Sequence, residues 1–299
     1  MKKRVWIFLT AIALFAFAIF YTRTASIPGP MPSQASLGIV ASNHTDHDPG
    51  LAERTLGEDR LEDWASASSE QIDRDFHDTR NRAESGDPVA QRQLAEMYER
   101  CFLHNLSPDN FTSTMKMYAE ADKANASRYY ATGKRFSHYC NSIDSGKMIP
   151  LVAPQLWYAE AAKRGDLLAQ IKVASAPDSQ TDEATYRSLV ARAFESKNPD
   201  AIFAIGDMLS MAKTSVDLGN YRQEAGGEYA DFAWEIAACR AGKNCGTGSF
   251  RMDAACLNGL CNASNLEAAI KNTYVPQAQL KFLEKDVERI RRLLDRAPK

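Results

Sequence analysis

The sequence predicts an all-α fold, a solenoid of helix pairs with a disulfide-stapled C-terminal part and a terminal capping helix. Three observations predict it. From about residue 61 to residue 299, apolar residues recur at helical spacing and no stretch alternates as a half-buried strand does. A corner built from a helix stop, an Asp or Asn, and a helix start occurs three times, at Asp87, Asp166 and Asn198. Four of the six cysteines crowd into CRAGKNCGTGSFRMDAACLNGLC, residues 239–261.

At the N-terminus, Lys2, Lys3 and Arg4 precede an uncharged apolar run from Val5 to Tyr21. The run is longer than the roughly 7 to 15 residues of a signal-peptide core and reaches the low end of the roughly 17 to 25 that span a bilayer as a helix. Thr24, Ala25 and Ser26 offer small residues for cleavage without a true Ala-x-Ala. Residues 1–22 are therefore an uncleaved membrane anchor or a cleaved signal segment, with the anchor favoured. The basic flank keeps the N-terminus in the cytoplasm. The expected product is a single-pass protein of the cell membrane, held through residues 5–21, with its fold outside the cytoplasm and periplasmic in a bacterium. Residues 23–60, which include SIPGPMPSQ, are read as a flexible linker. Within it, His44, Asp46, His47 and Asp48 share no rigid element, so no metal site is expected there.

The helical domain is assigned to residues 61–299. In AESGDPVAQRQLAEMYERC (83–101), AAKRGDLLAQIKVAS (161–175) and ESKNPDAIFAIGDMLSMA (195–212), the preceding helix stops at Gly86, Gly165 or Lys197, and Asp87, Asp166 or Asn198 caps the next one. Pro88 and Pro199 suit the first helical position, where no amide bond is lost. Ala90, Leu94, Met97 and Tyr98 then form one apolar face, with Ala201, Ile205, Met208 and Leu209 as its counterpart. Ala95 and Gly206 leave room for close helix approach.

The pattern G-D-x-x-A-Q-x-x-L-A-x-x-Y in residues 86–98, with W-Y-x-x-A-A-x-x-G in residues 157–165, resembles the Sel-one-like repeat, a relative of the tetratricopeptide repeat. The resemblance implies a tetratricopeptide-like stack of antiparallel helix pairs and a role as an adaptor or scaffold that binds another protein in its groove. It carries over no catalytic residue, because the motif consists of packing positions. The corners are 79 and 32 residues apart, so a repeat between residues 102 and 160 is degenerate or rebuilt, and FTSTMKMYAEADKANASRYYATGKRF is read as its remains.

Outside the cytoplasm an even cysteine count reads as disulfides. The spacings are wide for a zinc knuckle, no histidine lies nearby, and no Cys-x-x-Cys redox motif occurs. Two helices ending near Gly242 and Gly259 each carry a cysteine in the last turn and another in the loop that follows. Folding each loop back pairs Cys239 with Cys245 and Cys256 with Cys261. The pairs 239 with 256 and 245 with 261 are the alternative. Cys101 and Cys140 remain for a third bridge.

The chain has 36 basic against 38 acidic residues and no long single-sign block, which speaks against nucleic-acid binding. No nucleophile elbow, phosphate loop, dinucleotide fingerprint or H-E-x-x-H occurs, so no catalytic, cofactor-binding or metal residue is assigned. His77, His104 and His138 read as surface or capping groups. An unrecognised cell-envelope hydrolase is the alternative to the adaptor. Tyr98, Tyr118, Trp157 and Tyr158 are the contact candidates for a partner protein, since aromatics dominate binding hot spots. A last helix, opened by Pro276, carries Leu280, Leu283, Val287, Ile290 and Leu294 on a narrow stripe with Glu288 and Arg292 paired on its flank. It is read as a cap on the preceding hairpin, with a partner-binding helix as the alternative.

Overall fold

A computed structural model of the chain describes residues 67–296 apart from 177–178, 180, 213–215 and 222–228. The apolar run 5–21 and the linker 23–60 lie outside the described residues. These residues form twelve α-helices and no strand, with one isolated bridge between Gly246 and Asn265. No helix among them is long and apolar enough to cross a membrane.

The three corners form as their residues dictate. Helix α1 (Ser69–Glu84) ends at Gly86, whose φ of 93° only glycine adopts without strain, and α2 (Pro88–Leu106) starts under Asp87, whose Oδ1 accepts from the Val89 and Ala90 amides at 2.9 and 3.2 Å. Helix α5 (Ala153–Lys163) turns at Gly165 into α6 (Leu167–Ala174), where Asp166 accepts from the Ala169 amide at 2.8 Å. Helix α7 (Glu183–Ser196) turns at Lys197, left-handed at φ 53°, into α8 (Pro199–Ser210), where Asn198 accepts from the Asp200 amide at 2.7 Å. The first two corners share a further device. Gln91 and Gln170, each four residues after the cap, donate their side-chain amides to the carbonyls of Ala83 and Ala162 at 3.0 and 3.1 Å and so satisfy a helix end.

Between α2 and α5 the chain inserts a second hairpin, α3 (Pro108–Ala121) and α4 (Ala126–Cys140), which occupies the stretch read as a rebuilt repeat. Helix α2 packs on α5, α6 on α8, and α8 most extensively on α9 (Ala230–Arg240). A Cβ on Gly206 of α8 would lie 2.8 Å from the Asp231 carbonyl of α9, so glycine sets that close approach. Then follow α10 (Phe250–Leu257), α11 (Leu266–Thr273) and α12 (Leu280–Arg296).

Two apolar cores result. One centres on Phe76, Leu94 and Phe136, the other on Ile205, Trp234 and Ile236, and Ala95, Tyr158, Ala161 and Ala169 pack together where α2 meets α5 and α6. Helix α12 buries Leu283, Val287 and Ile290 in the second core and packs on α9. Two details differ from the sequence expectation. Residues Gln277–Gln279 form a 3-10 turn after Pro276, so α12 begins at Leu280. Glu288 pairs with Arg291 and with Arg240 of α9 rather than with Arg292, because Arg240 reaches across the helix contact to Glu267, Glu284 and Glu288 together.

The six cysteines stand in three pairs at disulfide distance. Cys101 pairs with Cys140, Cys239 with Cys245 and Cys256 with Cys261, with Cα separations of 5.2, 5.6 and 4.3 Å. The first ties α2 to the inserted hairpin; the others staple the loops on either side of α10.

Candidate functional site

Helices α2, α6 and α8 present charged side chains to one shared face. On α2, Glu96 and Glu99 are three residues apart and so lie on one side. Arg92, one turn earlier, bonds Glu96 Oε1 at 2.8 Å and Asp166 Oδ2 at 3.1 Å. Asp166 therefore caps α6 with one oxygen and joins it to α2 with the other; the Arg92 and Asp166 side chains are each only 7% exposed. The Tyr158 hydroxyl on α5 donates to Glu99 Oε2 at 2.6 Å. Lys172 of α6 lies 3.5 Å from Glu99 and 3.9 Å from Asp207 of α8, bridging the two carboxylates.

A roof closes over this face. Helix α10 and the loop before it bring Lys243, Phe250 and Arg251 to the other side of a cavity of about 220 Å³, whose walls also include Glu96, Glu99 and Tyr158. Arg251 lies 3.4 Å from Asp207, with its guanidinium 4.1 Å above the Phe203 ring. Lys243 pairs with Asp200 and sits over the same ring, while Arg100 covers Phe250 at 4.6 Å. The roof is fastened to the inserted hairpin. Asp253 of α10 accepts from Arg135 Nε at 2.6 Å and from Thr132 at 3.0 Å, and Arg128 donates to the carbonyls of Cys261 and Ala263, both at 2.8 Å.

The network settles its own protonation. Burial opposes ionisation of Glu96, but Arg92 and Arg100 overcome it and hold the carboxyl below its ordinary value. Glu99 is held low in the same way, burial being outweighed by Lys172 and the Tyr158 hydroxyl. Burial, Glu99 and Glu96 push the Tyr158 phenol well up. Glu235 goes the other way. Packed between α9 and α8, where its Cγ would stand 2.9 Å from a Cβ on Gly206, it is pushed up to about 8 by burial and by the Asp207 and Asp231 charges, against Arg251.

Of the four aromatic contact candidates, Tyr158 alone reaches the cavity. Tyr98 packs edge-on to Phe76, with ring centroids 6.0 Å apart; Tyr118 lies 5.7 Å from Tyr129; and Trp157 is half-buried against the first core. The histidines stay apart. His77 faces Asp73 on α1, His104 donates to Asn105 and meets Phe111 edge-on, and His138 donates to the Ala67 carbonyl at 2.7 Å. Among the described residues no group of three or more His, Cys, Asp or Glu is arranged to hold a metal. The charged cavity was missed at the sequence level, because acidic and basic residues at helical spacing also describe any solvated face.

A second feature lies on the outer surface where α2 ends and α5 begins. The contacts from Glu99 to Tyr158 and from Arg92 to Asp166 fix an antiparallel register that sets Leu103 and Leu106 beside the start of α5. Asn105 donates to the Lys147 carbonyl at 3.2 Å, which brings in the segment before α5. Leu103 and Leu106 in the last turn of α2, Met148, Leu151 and Val152 before α5, and Leu156 on α5 are each more than half exposed. A signal for this was present: α2 carries Leu103 and Leu106 in addition to the face it buries through Ala90, Leu94, Met97 and Cys101. With the fold and both features defined, comparison finds no protein-family model, no curated protein and no solved structure that matches the chain.

Proposed function

We propose that the chain is an adaptor that binds another protein, built as a helix-pair solenoid of the Sel-one-like type and held at the outer face of a cell membrane through residues 5–21. The solenoid reading is supported by three corners with one capping chemistry and by the packing of α1 on α2, α2 on α5, α5 on α6, α6 on α8 and α8 on α9. The binding reading rests on the apolar face at the α2 and α5 ends. Single exposed apolar side chains need no explanation, but six concentrated in two short segments, the last turn of α2 and residues 148–156, support an interaction surface.

The test is a photo-crosslinking amino acid placed in turn at Leu103, Leu106 and Leu156 of the full chain in its own cells, with Lys116 on α3 as control. Discrete adducts from the three leucines, absent at Lys116 and lost when Leu151 is changed to Glu, are the expected result. No adduct from the leucines, or the same adducts from the control, overturns the proposal.

One observation favours the hydrolase alternative. Glu235 holds a proton near neutral pH, as a general acid must. Neither Glu235 nor Asp207 is among the described residues lining the cavity, whereas Glu96 and Glu99, which are, already bond Arg92 and Tyr158. The adaptor reading is therefore the stronger.

A further inference from the structure

We infer that the bridge between Cys239 and Cys245 is a site of thiol exchange, opened by a dithiol from outside the chain while the other two bridges stay closed. The inference stands apart from the apolar face and from the adaptor reading.

Access separates the three bridges. Cys101 and Cys140 are 0% exposed and Cys256 and Cys261 are 3% exposed, all four within the first core. Cys245 is 7% exposed at the second core, and Cys239 packs half-buried against that core. Both line a surface groove of about 360 Å³ with Asn244, Gly246 and Asn265. That volume falls in the range of pockets that admit small molecules, roughly 300 to 1,000 Å³. A Cβ on Gly242, between the two cysteines, would meet nothing within 4 Å, so no described residue stands over that part of the loop. Exchange is governed by the reach of a thiolate to a disulfide sulfur, and here the groove supplies it.

The fold also anchors this loop without the sulfur–sulfur bond. The Lys243 amide donates to the Ala238 carbonyl at 3.1 Å, the Leu266 amide to the Cys245 carbonyl at 3.0 Å, and the Thr247 hydroxyl to the Ser264 carbonyl at 2.8 Å. The bridge closes a sequence separation of only 6, so it constrains the unfolded chain far less than the separation of 39 between Cys101 and Cys140. Opening it therefore leaves the helices standing. It loosens residues 241–245, and within them Lys243, which pairs with Asp200 of α8 and lines both the groove and the charged cavity.

The step balances as a two-electron exchange. A thiolate of the dithiol attacks the sulfur of Cys239, the less buried of the two. A sulfur–sulfur bond forms to Cys239, the bond to Cys245 breaks, and Cys245 leaves with the electron pair and takes a proton from water. The second thiolate of the dithiol then attacks the dithiol sulfur of this mixed disulfide, closing an oxidised ring and releasing Cys239, which is protonated in turn. The dithiol is oxidised and the bridge reduced.

Dithiothreitol on the purified full chain tests this without relying on a variant. The native protein is treated for increasing times, quenched with acid, alkylated and mapped by peptide mass. Cys239 and Cys245 should be alkylated roughly tenfold or more faster than the other four cysteines, with the helical circular dichroism unchanged. Reduced glutathione, a monothiol, should leave its adduct on Cys239 and a free thiol at Cys245. Amide hydrogen exchange in residues 241–245 should quicken roughly tenfold once the bridge is open. Opening of another bridge first or of all three together, a glutathione adduct on Cys245, unchanged exchange in residues 241–245, or reduction only after urea has unfolded the helices overturns the inference and leaves the bridge as a structural staple.

Discussion

Glu235→Gln should stabilise the protein, and by an amount that grows with pH. The carboxyl stands at about 8 in the folded chain against 4.5 as its ordinary value. Below pH 4.5 both folded and unfolded chains hold the proton, and the group contributes no pH dependence. Between 4.5 and 8 only the folded chain holds it, so the folded state binds more protons than the unfolded one and stability falls as pH rises, by about 1.4 kcal/mol per unit. Above 8 both have lost it and the slope ends. At pH 7 the accumulated loss is about 3 kcal/mol. Glutamine keeps the shape, donates to Asp207 through its amide, and has nothing to titrate. Urea unfolding followed by helical circular dichroism, on both proteins from about pH 5 to pH 8, gives the difference directly, since all other titrating groups are common to the two. The gap should be under about 1 kcal/mol at the acid end and about 2 to 3 kcal/mol at neutral pH. Two stability curves that run parallel across this range would refute the reasoning.

Asp253→Ala removes the acceptor for Arg135 and Thr132 at the junction of α10 and α4, and should cost about 3 to 5 kcal/mol in urea unfolding. The double change Arg135→Met with Asp253→Leu should cost clearly less, because it leaves no unpaired charge behind. Replacing Cys101 and Cys140 by Ser opens a loop of sequence separation 39 and should cost about 4 kcal/mol, against about 2 kcal/mol for Cys239 and Cys245 at separation 6. A reversed order of the two urea midpoints would contradict the loop-closure account.

What the sequence discloses here is local. A glycine or lysine followed by Asp or Asn announces a corner within three residues, so the caps are legible from spacing, while the staples needed the even cysteine count as well and spacing left a second connectivity of residues 239–261 open. The site is assembled from a distance. Arg135 meets Asp253 across 118 positions and Arg92 meets Asp166 across 74, and no local pattern records either pairing. Residue type misleads in the same way. Tyr98, Tyr118, Trp157 and Tyr158 are all aromatic, yet only the register of α5 against α2 decides that Tyr158 enters the cavity while the others pack elsewhere.

Stability alone does not account for the charges on α2, α6 and α8. Well-packed apolar residues at such positions are often as stabilising as enclosed ion pairs, or more so. The chain instead sets Glu96, Glu99, Lys172 and Asp207 on these three helices, then folds α10 over them and brings Lys243 and Arg251 to face them. It also fastens that roof twice, through Asp253 to the inserted hairpin and through the two short staples beside α10. In a plain stack of helix pairs the inner face stays open to receive a partner. Here the proposed partner surface lies at the ends of α2 and α5, and the charged face of α2, α6 and α8 is partly covered by α10. The Glu99 to Tyr158 hydrogen bond ties α2 to α5 beside the charged cavity, one turn of α2 before Leu103, so loss of that bond would loosen the register holding Leu103 beside α5.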